Sequence, residues 1–325
     1  MIDFNNLPDE SINQQVFFGN IDAANWQTWQ KPKNCKYVYI TAIGSGSGGG
    51  GGRRSTSNNT AGGAGGGSGA ISSGFFQAVV LPDVLYVQVG CGGYGGTGNS
   101  VQASGSAGGA GEISYVAVGP NTGTAYIVLQ SGTTPATGGP GGTLSAVSGG
   151  VGETAWGLTG AFTNLGQVIT VAGQNGGAGN LSTSNGGSIT LNKIVSGGAG
   201  GGGTSSSTTT SSGGNITGAG IVPTISGIAG GVTGVGYNLG IANSGYQTRM
   251  PGKTYTARDP LIFTGGAGGG ANYVTIGSGT AGYGGNGSLG SGGGGGGGCN
   301  LSTGVFGRSG DGGRGGDGVV IITSF

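Results

Sequence analysis

Acid–base chemistry in this chain would lack its commonest residue, because the 325 residues include no histidine, and the carboxylates are few and scattered. Histidine is the commonest general base and metal ligand near neutral pH, so Ser–His–Asp and Cys–His catalysis are excluded. A glycosidase needs two carboxyl groups flanking one bond, and the spacing of the acidic residues indicates no such pair. They are Asp3, Asp9, Glu10, Asp22, Asp83, Glu112, Glu153, Asp259, Asp311 and Asp317. The sequence therefore predicts no catalytic residues and no enzyme.

The cysteines form an odd set with no CxxC spacing: Cys35, Cys91 and Cys299. Two interpretations stay open, namely three inert free thiols, or one disulfide with one free thiol. A metal site is not expected without histidine partners.

Two glycine motifs resemble nucleotide-binding loops. Gly90–Gly95 fits GxGxxG after a strand, but the helix that a dinucleotide site needs does not follow. Gly252–Thr254 resembles the end of a P-loop, but the leading glycine position is occupied by Gln247. We expect no cofactor.

The C-terminal region places arginine beside aspartate. Residues 312–320 match one copy of a calcium β-roll repeat, which needs tandem copies to complete the ion shell. Arg308 and Arg314 also bring positive charge beside Asp311 and Asp317. The sequence predicts structural ion pairing between these four residues and no metal site.

Aromatic residues supply the candidate binding surfaces. Trp26 and Trp29 are spaced for one face of a short turn or helix with Asp22 as its N-cap, and they either fill a small core or dock on a partner protein. Tyrosines set among Gly, Ser, Thr and Asn either contact a receptor or pad thin walls. They are Tyr94, Tyr237, Tyr246, Tyr255, Tyr273 and Tyr283.

Charge and hydropathy exclude two classes of partner. The net charge is +1, with 11 Lys and Arg and no basic stripe, so nucleic-acid binding is not expected. No apolar run reaches the roughly 18 residues of a membrane span. Met1–Glu10 is acidic with no apolar region after it, which predicts synthesis in a cytoplasm without a signal peptide.

One unit recurs from residue 36 onward, a short apolar strand followed by a glycine-rich block. Predicted strands are Tyr37–Ile43, Val84–Val89, Gln167–Ala172, Leu261–Thr264 and Val319–Thr323, with further strands at Phe75–Leu81 and Ala125–Gln130. Segments 111–118 and 187–195 follow the second and third glycine blocks in the same way. We interpret this as an imperfect internal repeat.

Glycine makes up 89 of the 325 residues, against about 7% in an average protein. Such segments are either flexible linkers or ordered polyglycine II helices, which have three residues per turn. Every third residue is glycine from Gly307 to Gly316 and again from Gly284 to Gly296. This spacing favours ordered helices that pack backbone against backbone, with exposed loops or disorder at 44–63 and 204–214.

The predicted fold class is therefore all-β, with short strands capping a bundle of polyglycine II helices. Two domains are predicted, an N-terminal attachment segment over residues 1–35 and a glycine-rich β/polyglycine II domain over residues 36–325.

Three stretches carry a family resemblance: Trp26–Pro32, the strand Tyr37–Ile43 leading into Gly44–Gly52, and the ending Gly310–Ile322. In these the chain resembles glycine-rich tail-fibre and minor structural proteins of tailed bacteriophages. It is also similar to the tip adhesins of T-even-like phages, in which bundled polyglycine II helices present variable loops to a bacterial receptor. Those adhesins carry a sizeable attachment domain, whereas here residues 1–35 would have to serve.

The resemblance implies a virion structural protein in a tail fibre, tail tip or head fibre, whose loops contact the host surface. The alternative is a capsid decoration protein without a receptor. The expected partners are other virion proteins, further copies of the chain, and a bacterial surface glycan or outer-membrane protein. The expected location is the virion, assembled in the host cytoplasm.

Overall fold

The structure is a computed structural model that describes residues 13–19, 25–56, 59–181, 184–205, 209–218, 224–229 and 262–325. In this part the fold is all-β, and its helices are the 3-10 turns Ala78–Val80 and Thr163–Leu165. The strands are β1 Asn13–Phe18, β2 Gln27–Gln30, β3 Tyr37–Ile43, β4 Arg54–Ser55, β5 Ile71–Gln77, β6 Val84–Gln88, β7 Tyr115–Ala117, β8 Ile127–Gln130, β9 Gly132–Thr134, β10 Thr154–Ala155, β11 Gly166–Val171, β12 Ile189–Thr190, β13 Ile216–Thr217, β14 Asn272–Val274, β15 Ser278–Thr280, β16 Cys299–Leu301, β17 Phe306–Arg308 and β18 Val319–Ser324.

Two antiparallel sheets form a sandwich. The five-stranded sheet has the order β1-β18-β3-β5-β11, and the four-stranded sheet has the order β2-β6-β7-β8. Both termini of the described chain meet in the first sheet, where β1 pairs with β18 from Asn13–Ser324 to Phe18–Val319. Antiparallel strands place alternate side chains on one face, and that alternation builds the core.

The sandwich core lies between these two sheets. Strand β3 buries Val38, Ile40 and Ala42 and turns Tyr37 outward. The facing sheet contributes Leu85 and other apolar side chains. The other fully buried members of this cluster include Trp29, Phe76, Val87, Val116, Ile127, Leu129, Val320 and Ile322. Burial of this apolar area is the main favourable contribution to the free energy of folding.

Most of the predicted strands are confirmed. Strand β3 has the predicted bounds, and the strands predicted at 84–89, 167–172 and 319–323 differ by a residue or two from β6, β11 and β18. The strand predicted at 75–81 instead ends at Gln77 and continues as a 3-10 turn. Of the strand predicted at 261–264, residue 261 lies outside the described residues and Phe263 forms an isolated bridge with Val195.

The turn or helix predicted around Trp26 and Trp29 is wrong over its second half. Residues 27–30 form β2, which pairs antiparallel with β6 and sets Trp29 opposite Leu85. The alternation of strand β2 buries Trp29 and exposes its neighbours Thr28 and Gln30. Pairing with β6 outweighs the local helical spacing, and Asp22 lies outside the described residues.

The short strands form small separate sheets. Strands β9 and β10 pair antiparallel. Strands β12–β13, β14–β16–β4 and β15–β17 pair parallel. Parallel pairing joins segments that lie far apart in sequence.

Most of the remaining described chain is extended and glycine-rich, and its backbone groups bond between segments. We call this region the glycine lattice. It comprises residues 44–53, 61–69, 90–98, 105–111, 136–142, 147–153, 173–180, 196–204, 211–215, 265–271, 281–287, 291–298 and 309–318.

Residues 45–53, the central tract, donate their amides to three neighbours in rotation. To the C-terminal segment, Gly46, Gly49 and Gly52 donate to Gly316, Gly313 and Gly310. To segment 61–69, Ser47, Gly50 and Arg53 donate to Gly67, Ala64 and Ala61. To segment 105–112, Ser45, Gly48 and Gly51 donate to Glu112, Gly109 and Ser106. The N···O distances are 2.8 to 3.2 Å. Each neighbour is reached at every third residue, so successive amides point in three directions around the tract.

The carbonyls of the central tract accept from three other segments. Gly93 and Gly96 donate to Gly46 and Gly49; Gly139 and Gly142 donate to Gly48 and Gly51; Gly293 and Gly296 donate to Ser47 and Gly50. The central tract is thus enclosed on all sides by backbone. Buried amides and carbonyls need such partners, because an unpaired buried polar group costs as much as a lost hydrogen bond.

The prediction of an exposed loop at 44–63 is wrong for its glycine-rich part, because every residue from Gly44 to Gly52 is buried. Arg53 and Arg54 are half-buried and Asn59 is exposed, while residues 57 and 58 lie outside the described part. In 204–214, likewise, Thr204 and residues 213–214 are buried. These segments are buried because their backbone amides and carbonyls are hydrogen-bonded, whereas a flexible loop would leave such groups unpaired.

The strands of the sandwich continue directly into the glycine lattice. Strand β3 leads into the central tract, β6 leads into residues 90–98, and residues 309–318 lead into β18. The sandwich therefore closes one end of the lattice. The two predicted copies of the internal repeat place their strands differently, since β6 lies inside the four-stranded sheet and β11 lies at an edge of the five-stranded sheet.

Candidate functional site

The four residues predicted to form ion pairs do form two. Arg308 Nη2 donates to both carboxylate oxygens of Asp311, at 2.7 and 3.0 Å. Arg314 Nη2 donates to Asp317 Oδ1 at 2.6 Å. Both pairs lie on or beside the last lattice segment and repeat the same three-residue offset.

Each aspartate also accepts an amide from the neighbouring segment. Asp311 Oδ1 accepts from Gly98 N–H at 2.6 Å, and Asp317 Oδ1 accepts from Gly92 N–H at 2.8 Å. The two carboxylates thus serve as hydrogen-bond acceptors for the amides of Gly92 and Gly98, in place of a backbone carbonyl. The pairs therefore attach segment 92–98 to the C-terminal segment.

Two of the predicted receptor-contact tyrosines lie at these ion pairs. The Arg314 Cζ atom is 5.9 Å from the Tyr94 ring centroid, and the Arg308 Cζ atom is 6.0 Å from that of Tyr283. These distances are at the outer limit of a cation–π interaction. Tyr94 is 73% exposed, so it is available to a ligand. Tyr273 is half-buried in β14, and Tyr237, Tyr246 and Tyr255 lie outside the described residues.

A cleft of about 350 Å³ opens beside Tyr94. Cys91, Tyr94, Glu112 and Arg314 line it together with glycine and alanine backbone. Glu112 Oε2 accepts from Cys91 N–H at 2.9 Å, which holds the carboxylate at the cleft. A second cleft of about 390 Å³ shares Glu112 and extends past Tyr115. The Tyr94 ring, the Arg314 guanidinium and the Glu112 carboxylate, placed around exposed backbone, can bind a polar ligand.

The other predicted sites are placed as follows. Gly90–Gly95 belongs to the lattice, where Gly93 donates to Gly46, and no helix follows it. No group of three His, Cys, Asp or Glu residues is placed to hold a metal ion in the described part of the chain. No helix there is long and apolar enough to cross a membrane.

The predicted docking tryptophans differ in exposure. Trp29 is 1% exposed and lies in the sandwich core, which is the alternative that the sequence left open. Trp26 is half-buried and packs against the same core. Docking through Trp26 stays a prediction.

A comparison with known protein families finds a family defined by its glycine content, as expected for a fold that buries glycine backbone. The family model described as a glycine-rich domain matches residues 22–187. The chain belongs to this glycine-rich domain family. The match covers the whole four-stranded sheet, strands β3, β5 and β11 of the five-stranded sheet, and the first half of the lattice. No curated protein sequence matches the chain.

The glycine-rich domain buries one carboxyl group that the sequence did not single out, Glu153. Its side chain is 1% exposed at the junction between sandwich and lattice. Oε1 accepts from Ser131 Oγ at 2.7 Å and Oε2 accepts from Ala70 N–H at 2.8 Å. A Cβ atom on Gly44 would lie 1.8 Å from Oε2, so the bare backbone of Gly44 makes room for the carboxyl group.

Burial raises the pKa of Glu153 to about 8, and the two hydrogen bonds oppose this shift without cancelling it. Burial also raises the pKa of Tyr115, with a smaller contribution from the Glu153 charge. A sequence signal did exist: Gly111-Glu112 and Gly152-Glu153 each close a glycine-rich segment just before a short strand. Only the fold distinguishes the buried carboxyl group from the one at the cleft.

Cys35, Cys91 and Cys299 are free thiols, which excludes the disulfide alternative. Burial raises the pKa of the Cys299 thiol to about 12, although Arg54 acts in the opposite direction. We expect a thiol reagent near neutral pH to modify Cys35 and Cys91, which are half-buried, and to spare Cys299 until the chain is unfolded. Mass mapping of the labelled thiols checks this. Equal labelling of all three thiols in the folded protein would contradict it.

Two substitutions at Asp317 separate its charge from its hydrogen bond. Asp317→Asn keeps an acceptor for Gly92 N–H and removes a half-exposed ion pair, so we expect a loss below about 1 kcal/mol. Asp317→Ala also leaves the buried Gly92 amide without its acceptor, which costs about 1–3 kcal/mol. Denaturant unfolding of both variants measures the difference. Equal losses would mean that the amide finds another acceptor.

Proposed function

We propose that this chain is a rigid structural protein of a tailed-phage virion, located in a tail fibre, tail tip or head fibre. The observation that carries the proposal is the central tract, in which every amide, and every carbonyl from Gly46 to Gly51, bonds to surrounding backbone. Residues 48–52 of this tract are all glycine, and the bonds to neighbouring backbone leave the tract no freedom to bend. Rigidity without a catalytic group suits a spike or a connector.

The lattice segments are, in this proposal, polyglycine II helices. Support comes from the donation of successive amides in three directions, which is the direction pattern of a helix with three residues per turn. At about 3.1 Å per residue, the central tract would span about 28 Å. The internal repeat belongs to the same proposal, since β6 and β11 both lead straight into lattice segments.

Hydrogen exchange tests the helical bundle. Amides of the central tract should exchange as slowly as those of β3, while amides at exposed loop residues such as Gly157 should exchange fast. Fast exchange throughout the glycine segments would refute a packed bundle.

Contact with the host surface would occur at the cleft beside Tyr94. The support is local, namely an exposed ring, Arg314 held by Asp317, and Glu112 held by Cys91 N–H. The ligand would be a bacterial surface glycan or an outer-membrane protein. Tyr283 lies beside the second ion pair. Tyr237, Tyr246 and Tyr255 are part of the proposal from sequence alone.

The remaining parts of the proposal concern assembly. Residues 1–35 would attach the chain to other virion proteins, with Trp26 as a docking residue, and further copies of the chain would associate. The protein would be made in the host cytoplasm, function in the virion, and have no enzymatic activity, no cofactor and no nucleic-acid partner.

Mass spectrometry of purified particles, with stoichiometry, tests the virion role. A few copies per particle support a fibre or tip component, many copies indicate capsid decoration, and absence from the particle overturns the proposal. Binding of the purified protein to host cells, competed by surface glycan, tests receptor contact. A Tyr94→Ala variant should bind more weakly, while Val79→Ala, changed at an 83% exposed residue away from the cleft, should not.

A further inference from the structure

Strand β11 is an edge strand of the five-stranded sheet, and no other strand of the described chain pairs with its outer side. Six consecutive residue pairs, from Gly166–Phe76 to Val171–Ile71, join β11 to β5 without a register shift. On the other side, no backbone group of β11 bonds any described residue. The strand therefore presents a straight row of amides and carbonyls, which is a template for another strand.

Within residues 166–171 this edge lacks the features by which proteins block edge pairing, and Lys193 bonds the backbone only beyond the strand, at the carbonyls of Ala172 and Gly173. Those features are lysine or other charges, proline, a bulge, or a very short strand. Residues 166–171 read Gly-Gln-Val-Ile-Thr-Val, with no charge and no proline. By contrast, the edge strand β2 is followed by Lys31, which pairs with Asp83 at 3.0 Å.

The side chains of β11 are also exposed in a regular pattern. Gln167, Ile169 and Val171 face outward, and Ile169 is 66% exposed while Val171 is 42% exposed. β-branched residues at such positions gain from a cross-strand neighbour. Both the backbone edge and these side chains are suited to a strand of the same kind.

We propose that β11 pairs antiparallel with β11 of a second copy about a two-fold axis, which joins the two five-stranded sheets into one. The sheet is antiparallel throughout, so the added strand continues its pattern. A two-fold contact is self-complementary and closes at two chains.

The register follows from the faces of the strand. Residues opposite each other must lie on the same face, so the two-fold axis must pass midway between the two copies of one residue. Pairing Ile169 with Ile169 of the second copy also sets Gln167 opposite Val171. Every outward side chain of β11 then has an outward neighbour.

The proposal makes the self-association suggested above specific, but it rests on strand geometry and not on the virion role. Failure of the particle experiment would leave it standing. Its own failure would leave the virion role standing with a different subunit contact.

Charge exchange at Ile169 tests the contact. Analytical ultracentrifugation of the native protein should give a two-chain species. Ile169→Lys and Ile169→Glu each place like charges across the axis, and each should weaken self-association at least about tenfold. Mixing the two variants should restore the two-chain species. The control Val79→Lys, at an 83% exposed residue on a 3-10 turn, should associate like the native chain.

Three results would overturn the proposal. The native protein could remain a single chain at every concentration. The two-chain species could persist equally in both charge variants. Species larger than two chains would mean that β11 pairs with a different edge, such as β1, because head-to-tail contacts form rings or open series and not closed pairs.

Discussion

Replacement of Gly49 by Ala is expected to lower the free energy of unfolding by at least about 3 kcal/mol. The new Cβ atom would lie 2.1 Å from the carbonyl oxygen of Gly294, and also close to that of Gly293. Overpacking in a core commonly costs about 1–3 kcal/mol, and here the obstacle is backbone that cannot rotate away. Separation of the segments would also weaken the bonds of Gly49 to Gly313 and Gly96.

Gly→Ala substitutions at two further positions give a series of three variants, whose stabilities are compared by urea or thermal unfolding. A Cβ on Gly109 would lie 3.0 Å from Tyr94 N, and a Cβ on Gly157 would meet nothing nearer than 4.0 Å. We expect Gly157→Ala to stay within about 0.5 kcal/mol of the native protein, with Gly109→Ala between the two. Equal stability of all three variants would show that the glycine segments are not packed as described.

Stability is expected to fall as the pH rises from about 5 to about 8, because of Glu153. Its pKa is about 8 in the folded chain and near 4.5 when unfolded. Between these values the unfolded chain releases the proton first, so the folded state holds more protons and loses stability as the pH rises. The slope for one group is at most about 1.4 kcal/mol per pH unit, and it ends above the folded pKa. Below the unfolded pKa the group contributes no slope.

This pH window contains few other titrating groups, because the chain has no histidine. Glu153→Gln should therefore flatten the dependence and make the variant more stable than the native protein at about pH 9. The amide can accept from Ala70 N–H and donate to Ser131 Oγ, whose hydroxyl can rotate. Urea unfolding across the range, with Glu112→Gln at the cleft as the matched control, measures the effect. An unchanged slope in Glu153→Gln would assign the pH dependence to other groups.

The sequence predicted the strands well because their signals are local. Strand β3 alternates apolar residues, and β18 is an apolar run after a glycine segment, so both are recognised without knowledge of their partners. The Arg–Asp pairs were equally predictable because the offset of three residues already brings them together. Strand β2 was mispredicted because its conformation depends on pairing with β6, which local spacing does not encode.

Burial within the glycine segments was not predictable in the same way. The sequence predicts exposure for both 44–63 and 204–214, yet segment 45–53 within the first is enclosed on all sides by backbone. Its partners come from both ends of the chain, including residues 310–316. Glycine has no side chain whose polarity could mark a buried or an exposed face.

The amino-acid sequence by itself determined an all-β, glycine-dominated chain without histidine chemistry, because composition and strand periodicity act residue by residue. Only the tertiary structure decided which glycine segment is central, which of two similar glutamates is buried, and which strand is left at an open edge. These outcomes depend on neighbours distant in sequence. Glycine backbone has no side chain that specifies a partner, so the packing of all segments together determines which segments bond.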